Sequence, residues 1–328
     1  MKKIVAYGEI MMRLTPENFT SLEDVNKLDI CYGGTESNVL VALSHLGNKT
    51  SYLTKLPDNQ LGEAAKRHLL RHEVGIDNVI FGGSTLGLYF MEKGYGSKVS
   101  NVIYHRKESV INTLSEDDFD YDNVFNGASW FHVTGISLAI SEASKAVATR
   151  LCKEAKKRNI TVSFDFNYRS TLWGLEEAKN AYKDIMKYVD VCFGNAFDLE
   201  NFMDIKEENV INSVRHFLNK YDVKYLIHTQ RNIIDANNQE LSGHLYTANN
   251  EYHTDTKRFE VLDRIGGGDA FVAGIIHILN NDFTMIEKAL SLGIDLGILK
   301  HLVAGDVLGL SGKEINAWLS NQNKDVIR

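Results

Sequence analysis

The chain has 328 residues, 44% hydrophobic and 24% charged, with a formal net charge of -7. That is apolar material enough for one large domain or two small ones, and the mild acidity excludes the basic footprint of a nucleic-acid binder. No run of about 18 apolar residues occurs, so a membrane span is not expected.

The opening "MKKIVAYGEIMMRL" is interrupted by Gly8, Glu9 and Arg13 and lacks a cleavage site, so it reads as a first strand rather than a secretion signal. Further strands are predicted at "TSYLTKL", "WFHVTGI", "ITVSFDFN", "VDVCFGN" and "KYLIHTQ", with another at "TKRFEVLD". Between them lie amphipathic stretches such as "SEASKAVATRLCKEAKKR", where Ala143, Ala146, Val147, Leu151 and Ala155 approach helical spacing. Alternating β and α units predict a mostly parallel sheet covered by helices on both faces, with ligands beyond the carboxyl ends of the strands.

Two segments break that rhythm. "IMMRLTPENFTSLEDVNKLDICYGG" is a long stretch after the first strand, and "STLGLYFMEKGYGSKVSNVIYHRKES" holds two alternating runs around a Gly-rich turn, as in a hairpin. Together they predict a small β-sheet capping the main body. Cys31, Cys152 and Cys192 are far apart without CxxC spacing, which suits reduced thiols in a cytoplasmic protein.

Two glycine corners carry chemistry. In "VLDRIGGGDAFVAGII", Gly266, Gly267 and Gly268 precede an apolar helix whose first turn holds Asp269. Bare backbone at a helix start lets N–H groups approach an anion, and a carboxylate there can accept a proton from an attacking hydroxyl. This suits phosphoryl transfer, although a purely structural glycine turn fits the four residues equally well. GxxxxGK[ST] is absent, so a P-loop is excluded. In "YGGTESNVLVALSHLG", Gly33 and Gly34 would bring backbone close to a polar ligand, with Asn38 looking out of the first turns. The eleven histidines show no HExxH or other close metal spacing.

Both corners in this order, with "YGE", "VSFDFNYRSTLW" and "NAFDLENF", resemble the ribokinase family of carbohydrate kinases, also called the phosphofructokinase B family. The resemblance covers nearly the whole chain. It implies a single kinase domain over 1–328, a three-layer α/β/α sandwich with a β-sheet lid from about 10–32 and 82–112, and ATP with Mg²⁺. It also implies Asp269 as catalytic base, Gly266, Gly267 and Gly268 as anion hole, and Gly34 and Asn38, beside Gly33, as the sugar corner.

Within the family the chain is most similar to 2-keto-3-deoxygluconate kinases, whose lid "GLY" matches Gly87, Leu88 and Tyr89. Their "YxR" matches Tyr104, His105 and Arg106, and their "NYR" matches Asn167, Tyr168 and Arg169. Tyr104 and Arg106 are two apart, so on a strand they share a face. With Arg169 they would bring two guanidinium forks to one pocket, which suits the carboxylate of an acid sugar. Arg13 stands where fructokinases carry an aspartate, and a positive residue there favours an acid over a neutral polyol.

Departures from the family are also legible. Arg264 replaces a threonine before the glycines, and "HTQRNIIDANN" lacks the usual glycines of the nucleotide segment, leaving Thr229 and Arg231 to contact the nucleotide. Asn195 matches the family's N-x-x-E, with Asp198 one methylene shorter than the usual glutamate and expected to act on Mg²⁺ through water. A monovalent cation near the anion hole, common in the family, is left undecided. A neutral-sugar or nucleoside kinase and a silent sugar-binding regulator stay open as alternatives. The half-exposed alternating strands predict a homo-oligomer formed through the lids.

Overall fold

A computed structural model describes residues 2–320. The strands in chain order are β1 (Lys3–Tyr7), β2 (Met11–Pro16), β3 (Leu28–Gly33), β4 (Lys49–Leu56), β5 (Val79–Phe81), β6 (Leu88–Glu92) and β7 (Asn101–His105). They continue with β8 (Ala128–Thr134), β9 (Thr161–Asp165), β10 (Val191–Phe193), β11 (Tyr225–Ile233), β12 (Asn238–Tyr246), β13 (Glu251–His253) and β14 (Lys257–Glu260). Ten of them form one sheet in the order β13-β12-β11-β10-β9-β8-β1-β4-β5, with β14 also on β12. Pairing is parallel from β5 through to β11 and antiparallel beyond it. The remaining four make a separate small sheet, β3-β2-β6-β7.

Alternate residues of β1 explain the layers. Ile4 and Ala6 join one buried cluster, while Val5 and Tyr7 join another on the opposite face. The first cluster takes in the Thr35–His45, Gly267–Leu279 and Ile286–His301 helices. The second takes in the Glu142–Lys157 and Leu175–Met186 helices. Helix Glu142–Lys157 starts where the Ser141 side chain accepts from the Ser144 amide, and it buries Val147, Leu151 and Ala155 as the spacing predicts. Ala146 is the exception: it faces solvent, and Ala148 and Cys152 complete the stripe instead.

The predicted strands all occur, trimmed by caps and turns. The unpredicted β12 is "NQELSGHLY", which carries Gly243 in mid-strand. Packing requires that glycine, because a Cβ there would sit 2.9 Å from Leu290 and 3.0 Å from Ile294 of the helix laid on that strand. Helices Gly267–Leu279 and Ile286–His301 cross where Gly274 meets Gly293, a Cβ on the former falling 2.7 Å from the Gly293 Cα. A third small cluster of Met11, Tyr89 and Met91, packed with Val102 and Ile265, ties the small sheet to the loop before Gly266. The three cysteines are unpaired, and Cys31 is only half-buried. Among the described residues no helix is long and apolar enough to cross a membrane.

Candidate active site

Both glycine corners open on one cavity of about 360 Å³ at the carboxyl ends of β1, β8 and β9. The Gly267–Leu279 helix begins at Gly266, whose φ of 82° is left-handed and where a Cβ would overlap the Asp306 carbonyl oxygen. No side chain caps this helix, so its first amides face the cavity with only the helix dipole behind them. The Thr35–His45 helix likewise starts without a side-chain cap at Gly34. At Gly34 a Cβ would overlap the Glu9 carbonyl, and at Gly33 the Asp306 carboxylate.

Asn38 links the two corners. Its Nδ2 donates to Asp269 Oδ2 at 2.7 Å, and its Oδ1 accepts from the Gly34 amide at 3.3 Å. Asp269 is thus held by the residue that also closes the other corner. Burial raises its carboxyl to about 7, against the lowering effect of that hydrogen bond. Asp165, the last residue of β9, is raised to about 8 by burial first and then by nearby Asp269 and Asp198. Burial also raises Asp198, to about 6. Asn167 follows with φ 36°, a left-handed turn that asparagine tolerates, and donates its amide to Asp165 Oδ1 at 3.1 Å.

The predicted residues fall into two groups. Gly33, Gly34, Asn38, Tyr89, Tyr104, Arg106, Arg169, Arg231, Gly266, Gly268 and Asp269 all wall the cavity. Gly267, Asn195, Asp198 and Thr229 do not. Gly267 is turned inward, where a Cβ would strike the His301 ring. Asn195 caps the Ala196–Met203 helix, its Oδ1 accepting from the Phe197 amide at 2.8 Å, while Asp198 Oδ2 accepts from the Asn195 amide at 2.8 Å.

Three arginines meet different fates, and one expectation is overturned. Arg13 does not offer its charge to a ligand. It is buried, bonded to Asp263 Oδ2 at 2.5 Å and Asp306 Oδ1 at 2.6 Å, and absent from the cavity wall. Two buried carboxylates consume the cation, so its presence carries no information about sugar charge. Arg106 is also buried and forms an ion pair with Glu9, stacked 5.8 Å from the Tyr104 ring centroid. Its Nε has no hydrogen-bond partner among the described residues. Arg169 has only the Tyr168 carbonyl, at 3.5 Å, and no carboxylate partner among the described residues. Tyr89 commits its hydroxyl to Asp306 and gives the cavity only its ring.

Other wall residues had no predicted role: Glu9, Glu36, Ile136, Asp165, Arg264 and Asp306. Glu36 is fully buried, accepting from Thr134 Oγ1 at 2.8 Å and Ser137 Oγ at 2.7 Å. It also explains "YGE", because a Cβ on Gly8 would overlap its carboxylate. Asp165 had a readable signal, an acid closing a strand in a parallel sheet. Asp306 had none, since its partners come from positions 13 and 89.

An α/β sandwich whose cavity joins an uncapped helix start to a buried, hydrogen-bonded carboxylate has the makings of a phosphotransferase. The pfkB family carbohydrate kinase model matches residues 1–306, and the chain belongs to that family. It is 29% identical over 330 residues to a 2-dehydro-3-deoxygalactonokinase of Haloferax volcanii, covering 99% of each chain. Among solved structures it is similar to a putative 2-keto-3-deoxygluconate kinase from Enterococcus faecalis, at 32% identity and TM-score 0.93, covering 100% of this chain and 99% of that one. It is also similar to a 2-dehydro-3-deoxygluconokinase from Thermotoga maritima, at 32% identity and TM-score 0.91, covering 97% and 98%.

Proposed function

We propose that this carbohydrate kinase transfers the γ-phosphoryl group of ATP to the terminal hydroxymethyl of 2-keto-3-deoxygluconate or a close acid sugar, giving the 6-phosphate. The observation that carries the reading is the polarity of one cavity. Asp269 and the uncapped helix start lie together, and the same cavity is walled by Arg106 and by Arg169, which forms no ion pair among the described residues although Asp165 and Asp269 feel its charge. A sugar acid that sets its carboxylate on these guanidinium groups presents its far hydroxyl to Asp269. The names of the similar kinases agree with this class.

In this reading Asp269 takes the hydroxyl proton as the oxygen attacks the γ-phosphorus and the bond to the departing ADP breaks. Its carboxyl, raised to about 7, suits proton transfer near neutrality, and Asn38 keeps one oxygen fixed so that the other faces the sugar. The amides of Gly268 and Asp269 meet the charge on the transferring group, with Arg231 and Arg264 beside them. Asp165 lies in an acidic zone, its carboxyl raised by burial and then by Asp269 and Asp198. No cluster of three acidic or histidine side chains that could ligate a metal directly occurs among the described residues, so Mg²⁺ arriving with the nucleotide would be held through water, by Asp165 with Asp198 behind it, and would supply charge neutralisation on the phosphates.

Coupled ADP release with keto-deoxy-gluconate, its galacto epimer, gluconate, fructose, ribose and adenosine side by side tests the proposal. The keto-deoxy acids should show the highest kcat/KM, and a higher value for fructose or adenosine would sink it. A lid-mediated dimer is part of the same proposal. β3 and β7 are unpaired edges of the small sheet, and Ile30, Ile103 and Tyr104 on them are exposed. A monomeric mass by light scattering at micromolar concentration would remove it.

A further inference from the structure

Behind the glycine corner lies a lysine that the phosphoryl-transfer scheme does not use. Lys300 ends the Ile286–His301 helix and is 0% exposed. Its Nζ donates to the Val303 carbonyl at 3.0 Å and to the Asp263 carbonyl at 3.5 Å. Its Cε lies 3.3 Å from where a Cβ on Gly266 would be, so the stem backs directly onto the left-handed glycine of the anion corner.

The two carbonyls belong to two loops laced together at this point. Leu262 and Asp263 donate their amides to the His301 carbonyl at 2.8 and 3.1 Å, and Gly305 donates to Asp263 Oδ2 at 3.2 Å. The charges facing the ammonium are Asp263, Asp306, Arg13 and, further off, Asp269. Arg13 is ion-paired with both Asp263 and Asp306, Lys93 lies 3.4 Å from Asp263 Oδ2, and Lys300 adds a third cation in the field of the same two carboxylates.

A monovalent cation at this point would need converging carbonyl oxygens, and those oxygens converge on the Lys300 nitrogen instead. A metal ion beside Lys300 would add to three cations, Arg13, Lys300 and the partly exposed Lys93, already set against two buried carboxylates, a repulsion that low-dielectric surroundings magnify. The residues present therefore do not fit a monovalent metal ion.

We propose that the Lys300 ammonium is a tethered cation that positions the 262–266 and 302–306 loops behind the anion corner, so that the enzyme turns over without a monovalent metal ion. The inference rests on the phosphoryl-transfer reading of the corner, not on which sugar is used. Burial works against the charge, and the adjoining carboxylates sustain it. Lys300 is a positioning residue, since it acts through the backbone of Gly266.

The test compares chloride salts of potassium, sodium, ammonium and tetramethylammonium at equal ionic strength, reading both kcat and melting temperature. Wild type should hold kcat within about twofold across the series, with an unchanged melting temperature. Potassium activation of wild type, or a higher melting temperature in potassium than in tetramethylammonium, overturns the proposal. Lys300→Met keeps the stem without the charge and should lose about tenfold or more in kcat. A folded Lys300→Met with wild-type kcat in tetramethylammonium overturns it. Lys300→Ala opens the space, and potassium or ammonium should restore part of its lost kcat. A folded Lys300→Ala that no cation rescues counts against the tethered-cation role. If both variants fail to fold, the wild-type melting series still decides. Absence of activity with every sugar in every salt would strike the kinase reading instead, leaving the melting comparison intact.

Discussion

The two glycine corners face the same cavity, yet their glycines are required for different reasons. At Gly33, Gly34, Gly266 and Gly267 the protein itself occupies the space of a side chain: Asp306, Glu9, Asp306 again and His301. At Gly268 no atom of the described residues lies within 4 Å of a Cβ. Four of these glycines serve close packing around the site, and one keeps space free for something that is not protein. A glycine motif thus mixes residues that build a corner with a residue that uses it, and only their neighbours tell them apart.

The largest expected effect lies on the chemistry that the corners share. Asp269→Asn should lower kcat by roughly 10²–10⁴ while the melting temperature holds or rises, because a buried carboxyl with a raised pKa is replaced by a neutral isostere. In wild type, kcat/KM should climb with pH through about 7 as Asp269 ionises and level off above it. Turnover within a few-fold of wild type for Asp269→Asn would remove that residue from the mechanism.

Alanine substitution breaks the glycine comparison directly. Gly266→Ala combines a left-handed φ of 82° with overlap on the Asp306 carbonyl, so thermal melting should show severe destabilisation. Gly268→Ala should melt near wild type but lose about tenfold or more in kcat, the scale of a disturbed anion site. If Gly268→Ala is fully active, the open space there is not where the phosphate rests.

The arginines sharpen the contrast between building and using. Arg169→Ala should weaken the acid sugar by roughly 10- to 150-fold, the value of a hydrogen bond to a charged group, and hardly change binding of the carboxyl-reduced analogue. Arg106→Ala should do both kinds of damage, since it leaves Glu9 buried without its partner and costs about 3–5 kcal/mol of stability. Equal weakening of both ligands by Arg169→Ala, measured by calorimetry, would mean that its role is structural.

The smallest effect concerns stability and pH. Burial raises the folded Asp165 carboxyl from an ordinary 3.8 to about 8, so its contribution to stability, present below 3.8, is lost as pH climbs through 8. Asp165→Asn should therefore melt like wild type near about pH 4 and several degrees higher near about pH 9 in the ligand-free protein. A gain that is the same at both ends would show that charge is not its cause.

Much of this was legible locally. β–α alternation defined the parallel sheet, because strand and helix patterning repeat within a few residues. The interruption at residues 84–109 marked the hairpin of the small sheet. Gly266 to Asp269 could be read as an anion corner because a helix start, bare backbone and an acidic first turn are all sequence-local features. The need for glycine at position 243 is not local, because the helix that takes the place of its side chain comes about 50 residues later. The capping roles of Asn195 and Asp198 are local too, but they serve the helix start whether or not a nucleotide is near.

What sequence could not assign was the destination of each charge. Arg13, Arg106 and Arg169 are the same side chain, yet one is neutralised by Asp263 and Asp306, one is paired with Glu9, and one has no ion pair among the described residues. Asp306 and Lys300 sit on neither glycine motif, and they reach the corner from the far end of the chain. The sequence by itself determined the elements, their order and the candidate base. Tertiary structure alone decided which charges are spent inside the protein, because electrostatic partners are chosen by distance in space and in low dielectric, not by spacing along the chain.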